Sequence, residues 1–241
     1  MTDRISFILP TLNEEKNIAI LLQILIRQLE KDDEIIVVDS YSQDRTAQIA
    51  EKYGAKVILR PKEGIGAARM EGSKIAANEL LVFLDCDCVV SDDYVKRLRS
   101  HFENKKLIGV CGMGLYRSQS RVWGFMYNIY ARIVFYTAIV IHKITKKYWF
   151  ASNNCAFRTE PYFKAGGYRA VVCEDTDLMK RMPPSEDVIY DSKLLLWLSD
   201  RRLRENGFFR TLWLWGMSNF SVMIGKAKDS QQYSKEKYKE D

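Results

Sequence analysis

Short apolar runs alternate with longer amphipathic segments through residues 1–111, and this alternation constrains the fold more than any other feature. Each apolar run has the length of a β-strand, and each intervening segment has the spacing or end signals of an α-helix. Strands that alternate with helices form a mostly parallel sheet with helices on its faces. The sequence therefore predicts an α/β fold. The predicted strands are residues 5–9, 34–38, 56–59, 80–84 and 107–111, and the predicted helices are residues 15–29, 43–53, 67–77 and 92–102.

Polar side chains follow three of these predicted strands at the point where each strand ends. The first strand is followed by Pro-Thr-Leu-Asn-Glu at residues 10–14, the second by Asp39-Ser40, and the strand 80–84 by Asp85-Cys86-Asp87. Ligands of open α/β sheets bind beyond the carboxyl ends of the strands. We therefore expect the three clusters to meet at one edge of the sheet and to form a nucleotide site.

Asp85 and Asp87 form a candidate metal site. Two carboxylates one residue apart at the end of a buried strand bring hard oxygen ligands to one place, as Mg²⁺ or Mn²⁺ requires. The alternative is that both side chains cap the helix predicted to begin near residue 92. An Asp-x-Asp pair alone does not decide between these interpretations.

The chain has a formal net charge of +6, and residues 104–159 contain basic side chains but no acidic ones. No acidic residue lies between Glu103 and Glu160, so this block favours an anionic partner. The block is also rich in aromatic residues and isoleucine. A membrane surface explains both properties, and we expect no nucleic-acid partner. The basic residues are Lys105, Lys106, Arg117, Arg121, Arg132, Lys143, Lys146, Lys147 and Arg158.

Two aromatic segments, residues 121–143 and 208–224, are compatible with amphipathic helices. About 20 apolar residues are enough to span a bilayer. Arg132 near the middle of the first segment would make such a span costly. An interfacial helix is the favoured interpretation, and a helix packed on the domain is the alternative. In the second segment, Trp213 and Trp215 are placed as interface anchors.

The remaining composition indicates a single elaborated domain on the cytoplasmic side of a membrane. The five cysteines show no Cys-x-x-Cys spacing, which favours buried thiols in a reducing compartment. The apolar run 5–9 is too short for a secretory signal. We predict a main domain over residues 1–205 with a helical insertion at about 120–148, an aromatic helix over 206–226, and a charged tail over 227–241.

Six motifs, taken in order, resemble those of the family-two glycosyltransferases. These enzymes have the GT-A fold and move a sugar from a nucleotide diphosphate to an acceptor. The resemblance covers about residues 4–205 and implies a Rossmann-like sheet, a UDP- or GDP-sugar donor, dependence on Mg²⁺ or Mn²⁺, and an inverting reaction. With the aromatic segments, it implies a lipid-linked or membrane-proximal acceptor and a peripheral membrane location. The motifs are residues 10–14, 37–46, 64–69, 85–87, 153–154 and 174–177.

The resemblance implies a role in donor binding for several of these residues. Asp87 is expected to bind the metal, and Asp85 to contact the metal, the ribose or both. Asp39 is expected to accept a hydrogen bond from the base, and Arg69 to approach the phosphates or the sugar. Some members add a glutamine ligand where this chain has Val89, so Asp87 is the chief expected ligand. The first loop supplies the expected nucleoside contacts Pro10, Thr11 and Glu14.

The resemblance also implies a set of residues around the acceptor. Asp175 is expected to be the base that takes the proton from the acceptor hydroxyl. Glu174 is expected to orient that base or to contact the sugar. Asn153 and Asn154 are expected to lie in a loop that contacts the sugar.

Two other function classes compete with this interpretation. Residues 80–89 also fit the strand signature of haloacid-dehalogenase-like phosphatases, with Asp85 as nucleophile and Asp87 as acid or base. That interpretation leaves residues 10–14 and Asp39 unexplained. The third is a non-catalytic protein with the glycosyltransferase fold that acts as a membrane scaffold.

Overall fold

One eight-stranded sheet forms the centre of the computed structural model, which describes residues 3–230. The strands are β1 (Ile5–Thr11), β2 (Glu34–Asp39), β3 (Lys56–Leu59), β4 (Leu80–Leu84), β5 (Cys88–Val90), β6 (Gly109–Arg117), β7 (Asn154–Arg158) and β8 (Val188–Ser199). The helices are α1 (Ile18–Ile26), α2 (Thr46–Lys52), α3 (Ile65–Ile75), α4 (Tyr94–Phe102), α5 (Arg121–Thr145), α6 (Thr159–Lys164), α7 (Glu174–Arg181), α8 (Arg201–Asn206) and α9 (Phe208–Met223).

The strands lie in the order β3-β2-β1-β4-β7-β6-β8-β5. The four strands from β3 to β4 are mutually parallel, as are β6 and β8. β7 is antiparallel to both of its neighbours, and β5 is antiparallel to β8. The predicted α/β fold with a mostly parallel sheet flanked by helices is confirmed.

Helices cover both faces of the sheet, and each face has its own apolar core. On one face, Leu21 and Leu22 of α1 and Leu98 of α4 pack against β1 and β4. On the other face, Tyr162 of α6 and Leu178 of α7 pack against the same two strands. Strands buried on both sides have continuous apolar sequences, which is why β1, β2 and β4 are recognisable in the sequence. The two layers fix the strand ends that carry the polar clusters.

The structure differs from the sequence-based elements in two strands. β5 is only three residues long, too short to show a periodic pattern, and it follows directly after Asp87. β7 was not predicted and begins at Asn154, which was expected to lie in a loop, because it pairs with β4 and β6, which lie far away in sequence. The four predicted helices begin and end within a few residues of their predicted bounds.

Within the predicted insertion at about 120–148, the structure has one 25-residue helix, α5. Among residues 3–230, α5 is the only helix with the length and hydropathy of a membrane span, and 17% of its apolar window is buried. Length and composition alone are weak grounds for a span, because core helices of soluble proteins meet the same criterion. Of the predicted charged tail at 227–241, residues 231–241 lie outside the described part of the chain.

Candidate active site

The loops after β1 and β2 are joined by the carboxylate of Asp39. Thr11 Oγ1 donates to Asp39 Oδ2 (3.0 Å), and the Ser42 amide donates to Asp39 Oδ1 (2.8 Å). The Ser42 hydroxyl donates to Asp39 Oδ2 (2.5 Å). Asp39 is 1% exposed and Thr11 is 4% exposed. In this structure the Thr11 and Asp39 side chains join the two loops by hydrogen bonds. Contact between Asp39 and a base remains a prediction.

Glu14 connects the loop after β1 to α8. Its Oε2 accepts from Asn17 Nδ2 (2.6 Å), and its Oε1 accepts from Arg201 Nη2 (2.7 Å). Pro10 lies just before this loop, in β1, opposite Val38 of β2. The Glu14–Arg201 contact brings a cation from the far end of the chain to the edge of the sheet where the polar clusters meet.

Asp85 and Asp87 lie in the turn between β4 and β5, and both are partly exposed, whereas Cys86 and Cys88 are buried. Burial, the Asp85 carboxylate and the Glu14 carboxylate raise the pKa of Asp87 to about 6. These acids crowd negative charge into one place, and a divalent cation would relieve that repulsion. The helix-capping alternative is wrong, because the N-cap residue of α4 is Asp93.

The donor set fits a cation that is shared with a substrate. No group of three or more His, Cys, Asp or Glu side chains in residues 3–230 is arranged to hold a metal alone. Mg²⁺ typically binds one or two carboxylates together with substrate phosphates and water. Asp85 and Asp87 provide such a pair.

Arg69 of α3 joins the Asp-x-Asp turn to the first turn of α7. Its Nη2 donates to Asp85 Oδ1 (2.6 Å), and its Nη1 donates to Glu174 Oε1. Burial disfavours the charge on Arg69, but Asp85 and Glu174 more than offset that effect and raise its pKa. The Arg69 side chain is 1% exposed and holds two carboxylates in this structure, and its approach to the phosphates or the sugar remains a prediction.

Ser152 completes this cluster from the loop before β7. Arg69 Nη1 donates to Ser152 Oγ (2.8 Å), and Ser152 Oγ donates to Glu174 Oε1 (3.0 Å). Nε of Arg69 and Oδ1 of Asn153 are buried and have no hydrogen-bond partner among residues 3–230. Buried polar atoms without partners are uncommon in proteins, so these two atoms are candidates for contact with a substrate.

Asn154 has a different environment from the one expected. Its Nδ2 donates to the carbonyls of Met113 (3.1 Å) and Leu194 (3.0 Å), and its Oδ1 accepts from Tyr94 Oη (2.7 Å). Asn154 is 1% exposed. The prediction that it contacts a sugar is therefore wrong for this structure, because its amide is fully used in joining β6, β7 and β8.

Asp175 is partly exposed in the first turn of α7, next to the Glu174 that Arg69 holds. Burial and then the Glu174 carboxylate raise the pKa of Asp175 to about 7. A carboxylate whose pKa lies near neutrality is suited to accept a proton and release it again. Asp177, by contrast, is engaged with Arg181 Nη2 (2.7 Å).

The arrangement agrees with a comparison of the chain with known families. Residues 6–167 match the model of Glycosyl transferase family 2. The chain belongs to this family. The predicted family is thereby confirmed, and it replaces the phosphatase alternative for this family 2 protein.

The curated relatives of this family 2 protein are longer than the chain. EpsJ of Bacillus subtilis, an uncharacterised glycosyltransferase, is 34% identical over 125 residues, which are 50% of this chain and 36% of EpsJ. The dolichol-phosphate mannosyltransferase of Pyrococcus furiosus is 29% identical over 147 residues, 58% of this chain and 41% of that protein. The chain thus spans less than half the length of either relative.

Solved structures share the fold of this family 2 protein at low identity. The glucosyl-3-phosphoglycerate synthase of Mycobacterium tuberculosis, in complex with Mn²⁺, UDP-glucose and phosphoglyceric acid, has a TM-score of 0.64 at 20% identity, covering 93% of this chain and 79% of that one. The mannosyltransferase PcManGT of Pyrobaculum calidifontis, with GDP-mannose and Mn²⁺, has a TM-score of 0.62 at 19% identity, covering 82% of this chain and 57% of that one.

Sequence reasoning missed Ser152, and for Arg201 and Arg202 it left open whether they contact the diphosphate or a lipid headgroup. Ser152 is a single polar residue that no motif marks. Arg201 and Arg202 follow β8, and their positive charges partly oppose the rise in the pKa of Asp87. The available signal for the arginines was three basic side chains within four residues, Arg201, Arg202 and Arg204, after the apolar strand-like run 193–198.

Proposed function

We propose that this protein transfers a sugar from a UDP- or GDP-sugar to a lipid-linked or membrane-proximal acceptor, with inversion at the sugar carbon. The observation that carries the proposal is the Arg69 bridge, which joins Asp85 of the metal-binding pair to Glu174 beside the candidate base. The two solved structures of the same fold in complex with nucleotide sugars and Mn²⁺ support this donor class. One binds UDP-glucose and the other GDP-mannose, so both bases are retained in the proposal.

In the proposed site, Asp87 and Asp85 hold Mg²⁺ or Mn²⁺. When bound, the cation neutralises charge that develops on the diphosphate leaving group. Arg201, fixed by Glu14, adds positive charge on the same side of the cleft. Arg202 acts in the same direction through its field at Asp87.

Asp175 is the proposed base. As the acceptor oxygen forms its bond to C1 of the sugar, the bond between C1 and the diphosphate oxygen breaks, and the acceptor proton moves to the Asp175 carboxylate. Attack from the face opposite the diphosphate inverts C1. Glu174 holds the first turn of α7 in place through Arg69 and Ser152, which positions the neighbouring Asp175. The buried Asn153 Oδ1 is free to accept a hydrogen bond from a sugar hydroxyl.

The proposal includes a lipid-linked acceptor and a peripheral position on the cytoplasmic side of a membrane, and the outer face of α5 supports the contact with a membrane. Eight large apolar side chains, 39–76% exposed, lie within a stripe of about 100° on the helix. The opposite face packs on β6 through Phe135 and the neighbouring residues. An apolar stripe flanked by cations is typical of helices that lie in a bilayer interface. The stripe consists of Val122, Phe125, Met126, Ile129, Ile133, Tyr136, Val140 and Ile144.

A donor screen tests the proposed activity. The complete protein is incubated with radiolabelled UDP- and GDP-sugars, Mn²⁺ and a membrane extract, and the label that moves into the lipid phase is measured. Transfer from at least one donor is expected. Absence of both transfer and nucleotide binding for every donor would refute the proposal, and Mn²⁺-dependent binding without transfer would instead support the non-catalytic scaffold.

A further inference from the structure

α9 contacts α7, the helix that carries Glu174 and Asp175, and the residues that follow α9 contact the chain just before α7. We propose that α9 positions α7 when its exposed face is docked on a lipid surface, so that membrane binding and catalysis are coupled. The inference rests on the proposed function, because it assigns a regulatory role to the membrane surface proposed there.

Two contacts join α9 to opposite ends of α7. Near the start of α7, Thr176 Oγ1 donates to Asn219 Oδ1. Near its end, Lys180 Nζ donates to the carbonyls of Val222 (2.8 Å) and Met223 (3.2 Å). Thr176 is 3% exposed and directly follows Asp175. A displacement of α9 therefore removes support from the turn that carries the proposed base.

The segment after α9 also forms hydrogen bonds with the residues just before α7. The Val172 amide donates to the Lys228 carbonyl (3.0 Å), and the Ser230 amide donates to the Ala170 carbonyl (3.2 Å). Ser230 Oγ donates to the Glu63 carbonyl (2.6 Å), just before α3, the helix of Arg69. α9 thus contacts α7 directly, and the segment after α9 contacts Glu63 just before α3. Helices α3 and α7 carry Arg69 and Glu174.

α9 is weakly covered by the rest of the protein. Its buried residues are Phe208, Thr211 and Val222. The opposite face presents large apolar side chains to solvent at 50–73% exposure. Exposed apolar surface of this extent marks an interaction site. The exposed residues are Phe209, Trp213, Met217, Phe220 and Met223.

The charge around this face favours an anionic lipid surface as its occupant. α9 meets α5 through Phe208, which contacts Trp123, Tyr127 and Tyr130, so the two apolar stripes belong to neighbouring helices. No acidic residue lies between Glu205 and Asp229. Five exposed cations on or beside the two helices have no ion pair with an acidic side chain among residues 3–230: Arg121, Arg132, Lys143, Lys147 and Arg210.

A second copy of the chain fits this face less well. A twofold dimer places the same patch of both copies in contact, so it would bring the same cations together without acids to balance them. A bilayer with anionic headgroups neutralises these charges and takes up the apolar stripes. Docking on lipid therefore favours the state in which α9 is ordered against α7.

Vesicle flotation and hydrogen exchange on the complete protein test the coupling. Wild-type protein is mixed with vesicles of phosphatidylcholine and phosphatidylglycerol, and amide exchange in α7 is measured with and without vesicles. Asn219→Ala removes the acceptor for Thr176, whereas Asn219→Asp retains an acceptor oxygen. The combined variant Phe209→Ser, Trp213→Ser, Phe220→Ser removes the docking face. Leu59→Ser removes an apolar residue of similar exposure, 51%, from β3 as a control.

We expect flotation with the vesicles for the wild type and for Leu59→Ser, Asn219→Ala and Asn219→Asp. We expect none for the combined variant. Vesicles are expected to slow exchange in α7 about tenfold in the wild type and in Asn219→Asp, but not in Asn219→Ala. With a lipid acceptor, vesicles are expected to raise kcat in the wild type and in Asn219→Asp but not in Asn219→Ala, while KM for the donor is unchanged.

Two results would overturn the coupling. If the wild type floats and α7 exchange does not change, or if Asn219→Ala keeps the slowing, the coupling is wrong and the proposed membrane site stands. If the wild type does not float, both the membrane site and the coupling are wrong. Calorimetric binding of nucleotide sugar with Mn²⁺ reports separately on the glycosyltransferase proposal in either case.

Discussion

At the scale of single residues, the site depends on one buried arginine side chain that lies between two carboxylates. Arg69 contacts Asp85, Ser152 and Glu174, which lie far apart in the sequence. Asp85 and Glu174 were recognisable in the sequence because each lies in a dense acidic motif. Arg69 was recognised as a site residue, but its direction depends on the packing of α3 against α7, which no local pattern encodes. Asn154 was misassigned for the same reason, because long-range strand pairing sets its environment.

Replacing Arg69 should destabilise the protein as well as inactivate it. Arg69→Met leaves Asp85 and Glu174 without their shared partner, and removal of one member of a buried charge pair costs about 3–5 kcal/mol. Urea unfolding followed by circular dichroism measures the loss, with Lys74→Met, an exposed cation on the same helix, as the matched control. A loss below about 1 kcal/mol, which is typical of exposed ion pairs, would show that the bridge does not support the fold.

Removal of the proposed base should affect turnover and spare donor binding. Asp175→Asn is expected to lower kcat about 10²- to 10⁴-fold, the range for loss of a general base. The Kd for the nucleotide sugar with Mn²⁺, measured by calorimetry, should not change. Asp177→Asn, which removes a charge from the same turn, serves as control. Equal kcat values for Asp175→Asn and wild type would assign the base to another residue.

The raised pKa of Asp175 predicts the pH dependence of the reaction. A base acts in its ionised form, so with a pKa of about 7 the rate should fall about tenfold per unit as the pH drops below 7 and should level off above it. Initial rates at saturating Mn²⁺, measured from pH 5 to 9, give the profile. A rate that stays constant down to about pH 5 would mean that the base has the ordinary pKa of a carboxyl group.

At the scale of elements, α3 lies close to the chain before α7, and this brings Arg69 of α3 to Glu174 of α7. The parallel strands and their helices were predictable because continuous apolar runs and helix periodicity are local signals. β5 and β7 were not, because a short edge strand and an antiparallel insertion acquire their structure from distant partners. The start of α7 at Glu174 depends likewise on contacts with α3 and α9.

Gly66 permits this approach, and a side chain there should disturb the site. A Cβ at position 66 would overlap the carbonyl of Arg169 and lie 2.9 Å from Cβ of Glu174. Gly66→Ala should therefore displace Glu174 and lower kcat about tenfold or more, because small misplacements of catalytic groups are costly. Gly216→Ala, where a Cβ meets open space, is the control, and kcat is measured for both. Equal rates for Gly66→Ala and wild type would show that α7 can shift without loss.

At the scale of the whole molecule, the donor cleft and the apolar face of α5 and α9 belong to one α/β unit. That both segments are helices was predictable, because apolar side chains recur at helical spacing whether they face solvent or the core. Which stripe faces the sheet was not, because a helix that is apolar on two faces gives no local sign of orientation. The contacts of Phe135 and Phe208 decide it in the structure.

The central claim is cation-dependent transfer of a sugar at the Asp85–Asp87 turn, and removal of the metal tests it most directly. Wild-type protein is assayed for transfer of label from its nucleotide sugar to lipid before and after treatment with EDTA, and again after addition of Mn²⁺. The account predicts that transfer stops with EDTA and returns with Mn²⁺ in the wild type, and that Asp87→Asn needs at least about tenfold more Mn²⁺ for half-maximal rate. Undiminished transfer in EDTA would contradict it.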